Sequence, residues 1–192
     1  MNFLSFFILT ILHLLSASST TNLNCEYKLN NYDVVGYIYQ CDVIGDLEID
    51  TKDSATIAAA SQGHYSYRSN DDVAGFVVNT KYIKYFPIGL EKIFKNLKLI
   101  HAQNNFIQEI GQSDLKHFPA LKELNFHNNE IKMIDAGLFE FNPKLVYVSF
   151  SNNKIFYIQP EVFDGLSSLL YLYLNLITCI DKKSLFGSQC CA

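Results

Sequence analysis

No basic stripe runs through this sequence. Lys81, Lys84, Lys92, Lys95 and Lys98 are scattered among apolar residues as a solvated face, and the formal net charge is -4. A general binder of phosphate backbones needs clustered positive charge, so nucleic acid is not expected as a partner. G-x-S-x-G, H-E-x-x-H and a glycine-rich phosphate loop are all missing. Ser, His and Asp occur, but nothing orders them into a triad, and the carboxylate pair Asp71-Asp72 reads as a turn. The chain therefore does not read as an enzyme, and no cofactor is implied. There is no N-x-[ST] triplet: Asn79-Thr80-Lys81 and Asn152-Asn153-Lys154 fail at the third position. N-linked sugars should shield no face. Wholesale disorder is also unsuited to a chain that is 49% apolar and 14% aromatic. At 192 residues it suits one domain.

What is present begins with an apolar run. Phe3 to Leu15 is interrupted only by Ser5, Thr10 and His13, and the small residues Ser16 to Ser19 follow. This reads as a signal peptide over residues 1–18, cleaved near 18–20. The run is short for a membrane span, and no later stretch is apolar enough to be one. Export makes disulfides the default use of cysteine. All five cysteines, Cys25, Cys41, Cys179, Cys190 and Cys191, lie after this segment and cluster at the two ends. Residues 22–72 read as an N-terminal cap. The β-forming run Val34 to Cys41 follows a turn-like Leu29 to Asp33, so two strands closed by Cys25–Cys41 are the simplest account. Neither cysteine has a ligand-spaced partner for zinc. Thr56 to Ala60 reads either as a strand or as a short buried run, and Ser61 to Asp72 as a loop.

A 24-residue ladder fills the rest. Leu97, Leu121, Leu145 and Leu169 keep this step. So do Ile100, Leu124, Val148 and Leu172; Ala102, Phe126, Phe150 and Leu174; and Ile107, Ile131, Ile155 and Cys179. A strict period of this length marks a solenoid, in which stacking buries faces that one unit cannot bury alone. The middle apolar positions alternate as the buried side of a strand does. Four regular coils start at Leu97, Leu121, Leu145 and Leu169, and a degenerate first coil starts at Val73, with Lys81 in the asparagine position. Leu115, Phe139 and Phe163 should stack under the opposite side, while Asn142 breaks a further apolar row. Asn105, Asn129 and Asn153 form a polar column whose buried amides should bond backbone groups of their own and adjacent coils.

The pattern Leu145-x-x-Val148-x-Phe150-x-x-Asn153-x-Ile155-x-x-Ile158-x-x-x-x-Phe163-x-x-Leu166 resembles the extracellular leucine-rich repeat family, in the 24-residue animal form of Toll-like receptors and Slit-like proteins. Residues 121–142 fit similarly and 97–118 less closely, and the resemblance covers about 73–191. Ile83 to Phe94 is also similar to small secreted insect proteins of this family. The resemblance implies an α/β-type solenoid: a short horseshoe with a parallel concave sheet and disulfide-bearing caps, with repeats over 73–178 and a short C-terminal cap over 179–192. It implies binding of proteins, and in some members glycans or lipids, through the concave sheet, and no catalysis. Two departures stand out. Ile177 and Cys179 replace the asparagine and isoleucine of the last coil, and the chain stops soon after Cys190 and Cys191, short for a C-terminal cap of the family.

Strand alternation names the outward rows. These are Leu99, Glu123, Tyr147 and Tyr171; then His101, Asn125, Ser149 and Tyr173; then Gln103, His127, Ser151 and Asn175. Tyrosine joins a rigid apolar body to a polar tip, which suits interfaces. Tyr147, Tyr171 and Tyr173 are the expected centre of a protein-binding face, with His101, His127, Glu123 and Asn125 beside them. His101 and His127, on adjacent strands with Glu123 the one obvious third ligand, fall short of a stable zinc site, so no metal is expected. Cys179 can pair with Cys190 or with Cys191, and adjacent cysteines pair poorly with each other. The odd cysteine is a candidate for a bond to a second chain. The leading expectation is a secreted recognition module for an extracellular protein, in innate immunity or cell-surface signalling. The alternative is a self-assembling extracellular structural component linked through the spare C-terminal cysteine.

Overall fold

The structure is a computed structural model that describes residues 20–65 and 67–174. The signal segment, Asn175, Ile177, Cys179, Cys190 and Cys191 lie outside the described residues.

Alternating apolar residues make the strands, because alternation gives one side to the core and the other to the concave face. The strands are β1 (Thr21–Leu23), β2 (Cys25–Tyr32), β3 (Gly36–Val43), β4 (Glu48–Ile49), β5 (Ile57–Ala60), β6 (Gly75–Val77) and β7 (Tyr82–Ile83). They continue as β8 (Leu99–His101), β9 (Glu123–Asn125), β10 (Met133–Ile134), β11 (Tyr147–Ser149), β12 (Tyr157–Ile158) and β13 (Tyr171–Tyr173). Seven of them form one sheet in the order β13-β11-β9-β8-β6-β3-β2. Every pair is parallel except β2 and β3, which form an antiparallel hairpin. Phe76 stands opposite Ile100, Ile100 opposite Leu124, Leu124 opposite Val148 and Val148 opposite Leu172. The 24-residue step of the sequence is thus one strand of sheet. The degenerate coil from Val73 supplies β6 in the same register, whereas Cys41 stands opposite Phe76, a step of 35 residues.

The inward side chains are the ladder residues. Leu97, Ile100, Ala102, Ile107, Leu121, Leu124, Phe126, Ile131, Leu145, Val148, Phe150 and Ile155 are all buried. Burial of each large aliphatic or aromatic side chain contributes about 1.5–3 kcal/mol. Phe139 and Phe163 stack at 5.8 Å between centroids, and Phe126 packs on Phe150 at 6.0 Å. The convex side is made of one-turn helices, α1 (Leu90–Ile93) and α2 (Gln112–Leu115), and of the short parallel pairs β4–β7 and β10–β12. Thr56 to Ala60 resolves as a strand: β5 pairs in parallel with β1. Among the described residues no helix is long and apolar enough to cross a membrane.

Each coil turns out of its strand through a pair of residues. Thr80, Asn104, Asn128 and Asn152 have φ of 57°, 56°, 57° and 55°. Asparagine tolerates this left-handed conformation better than other side chains. The next asparagine then bonds inward. Asn129 Nδ2 donates to Ala102 O at 2.7 Å and Phe126 O at 3.1 Å, and its Oδ1 accepts from Ile107 N at 3.0 Å. Asn153 donates to Phe126 O and Phe150 O and accepts from Ile131 N; Asn105 donates to Val78 O and accepts from Lys81 N. Each amide ties a coil to its predecessor where no strand ladder reaches. Asn142 is fully buried on the other side of the coil and donates to Leu115 O and Phe118 O, both at 3.0 Å.

At the N-terminal end Cys25 and Cys41 form a disulfide across β2 and β3, with a sequence separation of 16. A loop of this size constrains the unfolded chain by about 3 kcal/mol. Tyr27 and Tyr39 face the core. His64 stacks on Tyr27 at 3.9 Å and bonds Tyr39 Oη and Asn70 Oδ1. The polar loop after β5 is thereby fastened over the end of the solenoid.

Candidate functional site

The register aligns two concave rows. One runs Gln40, Gly75, Leu99, Glu123, Tyr147 and Tyr171; the other runs Asp42, Val77, His101, Asn125, Ser149 and Tyr173. Alternation presents both rows to solvent, and the structure corrects that for half of them. Leu99 is 0% exposed, Glu123 7% and His101 8%, and Gln40, Gly75 and Ser149 are also buried, as is Ser151 in the next row. Over Leu99, His101 and Glu123 the cover is the β2–β3 hairpin. Only Gln40, Cys41 and Asp42 of β3 pair with β6, and the hairpin beyond them crosses the concave face. Ile38 lies in the space above Gly75, beside Leu99: a Cβ on Gly75 would come within 2.8 Å of Ile38 Cδ1 and 3.6 Å of Leu99 Cδ2. Tyr32, further out, meets His101 edge to face at 5.4 Å and donates from Oη to Gln40 Oε1 at 2.8 Å.

His101 and Glu123 are joined beneath Tyr32, with Nε2 2.8 Å from Oε1. The strand register sets Asn125, not His127, opposite His101. Asn125 and His127 are half-buried, and Asn125 Oδ1 accepts from His127 N at 3.0 Å. Among the described residues no three His, Cys, Asp or Glu side chains gather as a metal site would require.

The three tyrosines do come together. Tyr147 lies 5.4 Å from Tyr173 and 6.3 Å from Tyr171 between ring centroids. Tyr171 and Tyr173 remain 48% and 42% exposed. With Glu123 and the hairpin tip, residues Asn31, Tyr32, Asp33 and Val34, they line a cavity of about 400 Å³. Burial pushes the Tyr147 phenol above its ordinary pKa, against a hydrogen bond with Ser149 that lowers it. Burial likewise raises Tyr32, against hydrogen bonds with Gln40 and Asn30. Both rings stay neutral and keep their donor hydrogens at physiological pH. Strand alternation does not point to the hairpin tip. Its signals were an apolar Leu99 at an outward position and a side-chain-free Gly75 next to it in the row.

A family model described as leucine rich repeat matches residues 95–155 and 127–176. Residues 95–176 carry leucine-rich repeats. Among solved structures it is similar to the LRIM1/APL1C complex, with a TM-score of 0.54 and 18% identity over 78% of this chain. It spans 30% of that chain's length. It is similar also to the leucine-rich repeat ectodomain of the receptor kinase SOBIR1 from Arabidopsis thaliana, with a TM-score of 0.50, 12% identity, and coverage of 81% of this chain and 80% of that one. Comparison with curated proteins returns no match. At these identities the likeness is one of fold. The described residues form a solenoid with a parallel concave sheet and a disulfide-closed hairpin at its N-terminal end.

Proposed function

We propose that this leucine-rich repeat protein is a secreted recognition module that engages an extracellular protein partner through the cavity between the hairpin tip and Tyr147, Tyr171 and Tyr173. The observation that carries the reading is the convergence of these rings beside Leu99, His101 and Glu123, which the hairpin already covers. Binding energy concentrates in a few aromatic anchors within such recesses. The apolar run Phe3 to Leu15 and the Cys25–Cys41 disulfide support export to an oxidising compartment. A role in innate immunity or cell-surface signalling rests on the family resemblance, and one similar structure is a complex of two proteins, LRIM1 and APL1C. The test is affinity capture from the native extracellular fluid with the wild type and with Tyr147→Ala/Tyr171→Ala. Loss of the captured partner is expected in the variant; an unchanged partner would sink the reading.

A second reading is self-assembly. With Cys25 and Cys41 joined, three of the five cysteines remain, an odd number for pairing within one chain. Non-reducing electrophoresis decides: a band at twice the mass, lost with reductant, supports it, and a monomeric band removes it.

A further inference from the structure

The recess under the hairpin tip is short of positive charge. Four tyrosines, Tyr32, Tyr147, Tyr171 and Tyr173, line it with two carboxylates, Asp33 and Glu123, and no lysine or arginine stands among its described lining residues. Glu123 is held from below by His101, with one bond to Oε1. A carboxylate has about four acceptor sites, so capacity remains on it. Asp33 is exposed at the rim of the recess. A cavity on the convex side shows the contrast. It holds Glu109, Asp114 and Asp135, but there Lys52 is already paired with Glu109. The convex acids have a lysine of their own, whereas in the concave recess Glu123 meets the His101 imidazole and Asp33 has no salt-bridge partner among the described residues.

We propose that the concave recess receives an arginine side chain of the partner protein. This deepens the reading of the cavity as the partner site and rests on it. The faces of aromatic rings attract cations. A guanidinium is planar and weakly hydrated, so it stacks on tyrosine while its edge donates to a carboxylate. A lysine ammonium is compact and strongly hydrated, so it loses more hydration on entry and has no planar face to lay on a ring. The net charge of -4 favours approach of a basic partner surface.

The test titrates the full chain with N-acetyl-arginine amide, its neutral isostere N-acetyl-citrulline amide, and N-acetyl-lysine amide, following the tyrosine ring resonances. Saturable shifts at Tyr147, Tyr171 and Tyr173 are expected with the arginine amide, with citrulline about tenfold weaker. Asp33→Asn, an exposed change that spares the fold, should weaken the arginine response, and added salt should do the same. Equal responses to arginine and citrulline, or no effect of Asp33→Asn, would overturn the proposal. A lysine response equal to that of arginine would overturn the guanidinium assignment. If the arginine amide does not bind while Tyr147→Ala/Tyr171→Ala still loses its captured partner, this inference fails and the recognition reading stands. If that variant keeps its partner, both fail.

Discussion

Ile38 fills the space that any side chain at Gly75 would need. A Cβ there would sit 2.8 Å from Ile38 Cδ1 and 2.9 Å from Gln40 Cβ, closer than atoms pack. The Ile38 end can swing, but Gln40 Cβ is fixed to the β3 backbone. Gly75→Ala should therefore lift the hairpin and cost about 1–3 kcal/mol, the usual range for overpacking. Urea unfolding measures the loss, and faster tryptic cleavage at Lys28 reports the lifted hairpin. Wild-type values in both would refute the contact.

The two kinds of buried asparagine should behave differently. Asn129 is satisfied through both its nitrogen and its oxygen. Asn129→Leu would strand Ala102 O and Ile107 N away from water, at about 3 kcal/mol. Asn142 bonds two carbonyls through its nitrogen, but its Oδ1 has no partner among the described residues. Asn142→Leu relieves that orphan while losing two bonds, so it should cost less than Asn129→Leu. Paired thermal or denaturant melts of the two variants give the order, and a reversed order would contradict the account.

Thr80 is the odd member of the left-handed column. Its φ is 57°, a conformation that a β-branched residue adopts only under strain, and its side chain is exposed. Its backbone N–H bonds Gln103 O at 3.0 Å and survives substitution. Thr80→Asn should stabilise the protein by about 1 kcal/mol, and Asn128→Thr should do the reverse. Calorimetric midpoints measured side by side provide the check.

Tyr27 gives the fold an alkaline limit. Burial is the main cause that pushes its phenol to about 12, with neighbouring Tyr39 adding to it and a hydrogen bond with Ser61 opposing. Its Oη donates to Ser61 O at 2.8 Å, which a phenolate cannot do. Because the folded pKa lies above the unfolded value of about 10, the contribution is complete below about pH 10. It is lost as pH rises toward about 12. Tyr27→Phe should be less stable at neutral pH by about 1 kcal/mol and lack this part of the alkaline decline. Identical pH profiles for the two proteins would exclude the mechanism.

The repeat was legible in the sequence because it is local and periodic. Leu97, Ile100, Ala102 and their equivalents appear in each coil, and each new strand pairs with one a fixed distance away. The Cys25–Cys41 link was legible for a related reason, since a short stretch of β-formers lies between the two cysteines. Asn104, Asn128 and Asn152 are the first members of Asn-Asn doublets, and the period alone does not separate the residue that supplies the backbone turn from the one that bonds inward. The cover over Leu99, His101 and Glu123 was not legible from alternation, which assigns sides to a strand and is silent on what lies across them. That contact joins β3 to the concave face through Ile38, a residue outside the repeating register.

The overhanging hairpin also sets a count. An ordinary solenoid can gain or lose a whole coil, because each coil contacts only its neighbours. Here Tyr32 reaches His101 on β8, and the tip reaches the recess formed by β9, β11 and β13. Removing one coil between them would slide the tyrosines by one strand spacing, about 4.8 Å, beneath a tip that stays where it is. The hairpin thus works as a ruler laid along the sheet, and the stretch from β8 to β13 is held to one length.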